Sequence, residues 1–195
     1  MKQNFGAQSL QTHFLGVLVP DDLTLTLEDC RRYMNRTYGC KSGYGTPIHV
    51  TLVPPFRLPD EYRTEDIVRA LKEDVLPLAE KLAFTAHVSN FDAFGDRTVF
   101  AKVDTDEKWT QLRDKTVSAV LKAAPGTTKK DSRPFLPHLT VANRDIPQGA
   151  SVKALQALNE LELFEDFPVD NITIFGRRGG KWIPAVTLDL LGDEK

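Results

Sequence analysis

At 195 residues, with 41% hydrophobic and 27% charged side chains, the chain is long enough for one sizeable domain or for two small lobes sharing a core. A formal net charge of −2 at pH 7 excludes the overall basic field that grips long nucleic acid, so no DNA partner is expected, although a few local cations suffice for a small anion. No stretch approaches the roughly 18 apolar residues of a membrane span, and the opening MKQNFGAQSLQTHF lacks a signal peptide's apolar run. Cys30 and Cys40 form no metal-ligand spacing and leave a disulfide open without calling for one, so the expectation is a reduced cytoplasmic protein.

In chain order, residues 13–19 (HFLGVLV) are apolar and bounded by Pro20-Asp21-Asp22, which predicts a buried strand. Leu27, Cys30, Tyr33 and Met34 mark a short helix over about residues 26–38. A glycine-rich loop, 39–45, leads into TPIHVTLVPP (46–55). Thr64 can cap a helix whose apolar face is Ile67, Leu71, Val75, Leu78 and Leu82, bent at Pro77. Strands are predicted over 83–91 and 98–103, around the turn Phe94-Gly95-Asp96. Trp109, Leu112, Val117, Val120 and Leu121 give a helix stopped by Pro125-Gly126, with Trp109 in the core. The polar loop 127–132 then leads to RPFLPHLTVA (133–142). Ser151 can cap a last helix carrying Val152, Leu155, Leu158 and Leu161, and a strand pair over 169–175 and 182–190 closes the chain.

The second half follows the order of the first. FDAFGDR (91–97) is similar to ITIFGRR (172–178), and VFAKVD (99–104) precedes helix, loop and histidine segment just as FLGVLV does. The chain thus reads as a diverged tandem repeat of a β-α-β-α-β unit, a single bilobal domain over 1–195 with lobes roughly at 13–97 and 98–190. Pseudo-symmetry would put the two histidine segments in equivalent places and let both face one central cleft.

Side chains at i and i+2 of a strand share a face, so His49 projects with Thr51 and His138 with Thr140. Each pair offers one proton-transfer group and one hydroxyl. Two such pairs suit attack at phosphorus, with one neutral imidazole taking a proton and one imidazolium giving one. The threonines would hold non-bridging oxygens as their charge builds. Nothing in that scheme requires a metal or cofactor, and no carboxylate flanks either histidine at ligand spacing. The bland alternative is a pair of core histidines with satisfied hydrogen bonds.

Of the remaining histidines, His87 with Ser89 at i+2 is a third candidate, but its counterpart strand (168–171) carries no histidine; His13 reads as structural or exposed. Arg133 either touches substrate or pairs with Asp131. Lys129 and Lys130 read as solvated loop charges, and Arg177-Arg178-Gly179-Gly180-Lys181 as an exposed hairpin turn. Tyr44 and Phe56 either stack on a base or simply pack.

The twin His-x-Thr-aliphatic motifs, the Arg-Pro-Phe-x-Pro-His-x-Thr lead-in to the second, and the duplicated layout resemble the two-histidine (2H) phosphoesterase superfamily from about Phe14 to Leu190. That superfamily includes bacterial 2′-5′ RNA ligases and 2′,3′-cyclic phosphodiesterases. The resemblance implies an α+β, bilobal fold with antiparallel sheets lining a central groove and helices outside. It implies His49 and His138 as the acid–base pair, Thr51 and Thr140 as phosphate-binding hydroxyls, and Arg133 as a phosphate contact. Tyr44 stands in the place before His49 that Arg133 occupies before His138, where it could contact a base or sugar. Two features depart from the pattern: Ala142-Asn143 delay the basic residue after the second motif to Arg144, and the first motif continues into Val53-Pro54-Pro55-Phe56. The expected activity is metal-independent hydrolysis of a 2′,3′-cyclic phosphodiester on a nucleotide or RNA end, by a protein expected to be monomeric. RNA 2′-5′ end joining, oligonucleotide trimming, and capture of a nucleotide or RNA end without turnover stay open as rivals.

Overall fold

A computed structural model describes residues 11–192. Its strands are β1 (His13–Leu18), β2 (His49–Phe56), β3 (Phe84–Ala93), β4 (Thr98–Val103), β5 (His138–Asn143), β6 (Phe164–Val169), β7 (Asn171–Arg178) and β8 (Lys181–Asp189). All join one antiparallel sheet in the order β6-β3-β4-β5-β2-β1-β7-β8. The helices are α1 (Asp21–Tyr38), α2 (Thr64–Asp74), α3 (Ala79–Leu82), α4 (Glu107–Ala123) and α5 (Ala150–Asn159). The architecture is therefore α+β, as expected.

Alternation along each strand sends one set of side chains into a common core. Leu15, Val17, Val50, Leu52, Ala101, Leu139 and Val141 pack there with Leu27, Cys30 and Met34 of α1 and Trp109, Leu112 and Val120 of α4. Cys30 and Cys40 are both buried free thiols. The opposite strand face carries the histidines and threonines of the two motifs together with Phe14, Phe100 and Phe175.

Helix starts differ from the sequence reading for identifiable reasons. α1 begins at Asp21, directly after Pro20, because Asp21 and Asp22 suit the positive end of the helix dipole. Thr64 does not cap α2; the Asp66 carboxylate accepts the Arg63 N–H at 2.9 Å, and the Thr64 hydroxyl instead meets His13 Nε2 at 3.0 Å. Ser151 lies inside α5, whose start is capped across the fold. Asp96 accepts from Gly149 N–H (2.7 Å), Ser151 N–H (3.1 Å) and Ser151 Oγ (2.6 Å). Pro77 falls in a 3-10 turn between α2 and α3, so the predicted bend is a break.

The strand predicted over 169–175 is two strands, divided at Asp170. β6 escapes sequence reading because it is an edge strand: Phe164, Glu165, Asp166 and Pro168 are exposed and only Phe167 and Val169 enter the core. The two halves of the sheet also do not coincide with the repeats at 13–97 and 98–190. β3 pairs with β4 and β6, whereas β7 pairs with β1 and β8. The cause is local: the Phe94-Gly95 turn, closed by Phe94 N–H to Thr98 O at 2.9 Å, returns β3 onto β4, its neighbour in the chain. β3 of the predicted first repeat thus lies beside strands of the second, and β7 of the second beside strands of the first.

β1 crosses β2 closely, with Gly16 opposite Thr51. A Cβ on Gly16 would stand 2.6 Å from Val50 O and 3.1 Å from His49 Cδ2. Gly16→Ala should therefore cost about 1–3 kcal/mol, read as a lower urea midpoint at unchanged m-value.

Candidate active site

β2 and β5 meet at the middle of the sheet, where Val50 is paired with Leu139. Both side chains are fully buried on the core face. One residue to either side, the antiparallel register sets His49 across from Thr140 and Thr51 across from His138, and all four are half-buried on the other face. Each histidine is thus flanked by its own threonine along the strand and by the other motif's threonine across it. The histidines are diagonal neighbours, a relation that in an antiparallel pair sets residues roughly 7–8 Å apart with Cβ atoms somewhat closer, a separation one phosphate can bridge.

The two rings are oriented in the same way. His49 Nδ1 lies 2.7 Å from Pro47 O, and His138 Nδ1 lies 2.8 Å from Leu136 O. A carbonyl can only accept, so each Nδ1 carries the hydrogen and each neutral ring presents the lone pair of Nε2. Thr51 Oγ1 sits 3.1 Å from His49 Nε2 and donates to it. Phenylalanines wedge both rings. Phe14 and Phe175 lie 4.6 and 5.2 Å from His49, centroid to centroid, and Phe100 and Phe94 lie 5.1 and 5.6 Å from His138.

Their electrostatic settings differ. Burial pushes the His49 pKa down to about 4; the Pro47 carbonyl opposes this, while the nearby charges of Arg31 and His138 reinforce it. Arg31, on α1, is 3% exposed. Its Nη1 donates to Glu28 Oε1 (2.7 Å) and Thr46 O (2.6 Å), and its Nη2 to Thr140 O (3.2 Å). One guanidinium therefore clamps the approach to β2 and the backbone of β5 from behind. His138 lies instead beside Lys102 of β4, its cross-strand neighbour, which is exposed.

A groove of about 570 Å³ opens on the site face from Thr51 and His138 toward loop residues 128–133, and Arg133 lines it. The Arg133 side chain is 84% exposed, with its guanidinium on Asp131 at 2.6 Å. That contact holds the Asp131 carboxyl down at about 2. Tyr44 is exposed on the loop after α1, whose Lys41 and Ser42 N–H groups are fastened to Asp145 Oδ2 at 2.6 and 2.8 Å, and it is not among the residues lining the groove. Phe56 does not offer a stacking face: it is 5% exposed, within the core and stacked on His13. His87 is on β3, two strands from His138, with Nδ1 2.6 Å from Asp166 Oδ1 of β6. His13 is occupied by Thr12 and Thr64 at 2.8 and 3.0 Å. Among the described residues, no group of three or more His, Cys, Asp or Glu side chains gathers as metal ligands, and no helix is long and apolar enough to cross a membrane.

Sequence reading missed Arg31 and the four phenylalanines. Arg31 was legible as a cation on the apolar stripe of α1, four residues after Leu27 and three before Met34. Phe94 and Phe175 were visible only as half of the repeated Phe-Gly pair, with no sign that both turn toward a histidine.

A model of the 2′-5′ RNA ligase superfamily matches residues 19–181. The chain belongs to that superfamily, the 2H phosphoesterases. No curated protein matches it at the sequence level. Among solved structures it is similar to TT0787 of Thermus thermophilus, at 19% identity and a TM-score of 0.58, covering 94% of this chain and 100% of that one. E. coli LigT complexed with 3′-AMP aligns at 17% identity and 0.56, covering 93% and 99%. The MHV ns2 PDE domain aligns at 16% and 0.53, covering 91% and 100%. At these identities the likeness is one of fold.

A His49 pKa near 4, against 6.5 for an ordinary imidazole, makes stability depend on pH with a definite sign. Between those values the unfolded chain binds more protons than the folded one, so stability should rise with pH and be lost as pH falls through 6.5 toward 4. His49→Gln should flatten this slope in urea titrations across the window. Half-buried His13, shifted downward by desolvation, leaves a residual slope of the same sign.

Proposed function

We propose that this protein is a metal-independent phosphodiesterase that hydrolyses a 2′,3′-cyclic phosphodiester on a nucleotide or RNA end. The observation that carries the reading is the interlocked pair of His-x-Thr motifs, with both Nε2 atoms turned to one face by matching Nδ1–H bonds to the Pro47 and Leu136 carbonyls. Membership of the superfamily and the fold shared with a LigT structure complexed with 3′-AMP support it.

In this reading His49 is the base. Its burial keeps it neutral down to about pH 4, so its Nε2 lone pair is available to a water on the phosphorus. The water oxygen bonds to phosphorus, one ribose–oxygen bond to phosphorus breaks, and protonated His138 delivers its Nε2 hydrogen to the departing ribose oxygen. Thr51 and Thr140 hold the non-bridging oxygens as their charge grows. A hydroxyl has one hydrogen to give. Moving it from His49 Nε2 to a phosphate oxygen lets Thr51 bind substrate and release the base in one step. Proton exchange with solvent then resets both rings. The same groups would serve end joining if a ribose hydroxyl replaced water.

Turnover of 2′,3′-cyclic AMP in excess chelator tests the assignment. His49→Ala and His138→Ala should each lose about 10²–10⁴-fold in kcat, and Thr51→Val and Thr140→Val about 10²–10³-fold, whereas His87→Ala should match wild type. A loss on chelation, or an active His138→Ala enzyme, would overturn the scheme. The kcat/KM profile should be bell-shaped, with its acid limb near pH 4, set by His49.

A further inference from the structure

We propose that the groove beside His138 holds a second anion site, formed by Lys129 and Lys130, which binds the phosphodiester one nucleotide upstream of the reacting end and makes the enzyme prefer oligonucleotide ends to cyclic mononucleotides. The inference rests on the phosphodiesterase reading and adds to it the residues that select the substrate.

Charge accounting along the groove points there. Its cations are Arg113, Lys129, Lys130 and Arg133, and its acids are Asp114 and Asp131. Both acids are taken by the arginines, Arg113 on Asp114 at 3.0 Å and Arg133 on Asp131 at 2.6 Å. Lys129 and Lys130 have no ion-pair partner among the described residues and carry the groove's uncompensated charge. The loop that bears them is held from below. Arg113 is 11% exposed, lies 5.1 Å from the Phe135 ring centroid, and donates to the Asp131 and Arg133 carbonyls at 3.4 Å each. Two lysines on a pinned loop are a partly preorganised phosphate site.

Space and direction agree. About 570 Å³ lies within the range of small-molecule sites, and Pro54 and exposed Leu136 provide an apolar surface for a sugar or base. On the other side of His138 the recess is smaller, about 280 Å³, and its Lys102 is outnumbered by Asp92 and Asp104. A polyanion leaving the reaction centre is repelled there and attracted toward Lys129 and Lys130. The low net charge of the whole chain is no obstacle, since one additional phosphate needs only a local field.

The test compares kcat/KM for adenosine 2′,3′-cyclic phosphate and for the dinucleotide ApA ending in a 2′,3′-cyclic phosphate, in wild type and in the Lys129→Ala/Lys130→Ala double variant. Wild type should favour the dinucleotide about tenfold or more at low salt, and the double variant should reduce that ratio to near one. The wild-type preference should fall with added salt, with a log–log slope of about 0.7 for the single extra phosphate. Equal rates on the two substrates in wild type, or an undiminished ratio in the double variant, would overturn the second site. If wild type turns over neither substrate, the phosphodiesterase reading fails separately, and equilibrium binding of ApA 3′-phosphate decides the anion site. Affinity about tenfold weaker in the double variant supports it, and equal affinity removes it.

Discussion

The pairing of Val50 with Leu139 is the constraint on which the site depends. Strand periodicity ties the buried face to the reactive one, so burying these two side chains exposes their neighbours on the other face. A one-residue slip of β2 would turn His49 and Thr51 into the core and present Val50 to solvent, and the same slip of β5 would do so with His138, Thr140 and Leu139. In either case an imidazole and a hydroxyl would need new hydrogen bonds in an apolar interior. The hydrophobic core and the reaction centre are thus specified by one set of strand contacts, clamped from behind by Arg31 through Thr46 and Thr140.

The pairing of β2 with β5 places the two motifs alike, and the surroundings make them unequal. The matching carbonyl bonds at Pro47 and Leu136 impose one tautomer on both rings. Yet His49 is packed against the stacked pair Phe14 and Phe175 with a guanidinium nearby, and its proton affinity falls; His138 lines an open groove. Acid–base work on one phosphate calls for two similar groups in different protonation states. The matching strand positions supply the likeness, and the different residues packed around each ring supply the difference.

Much of the fold was legible because its elements carry strong local patterns. Seven of the strands and the principal helices follow from apolar periodicity, and the Phe-Gly repeat points to the internal duplication. Three of the errors share one cause. Asp96 capping α5, Thr64 turning to His13 and β6 pairing with β3 at the sheet edge are partnerships between residues distant in sequence. Of the two roles open to Phe56, stacking on a base or packing, the structure shows packing, with β1 covering the ring through His13.

The sequence by itself determined which histidine and threonine share a face in each motif, because a strand's period of two binds histidine to threonine at i+2 wherever that strand lies. The fold class followed from the resemblance that the two motifs carry, beside the strands and helices that alternation and helical stripes mark out. Only the tertiary structure decided that the motifs interlock diagonally, that His49 is the buried ring, that Phe56 is core, and that Lys129 and Lys130 share a groove with His138. Those outcomes depend on register across distant strands and on local desolvation, neither of which is encoded in any short stretch of chain.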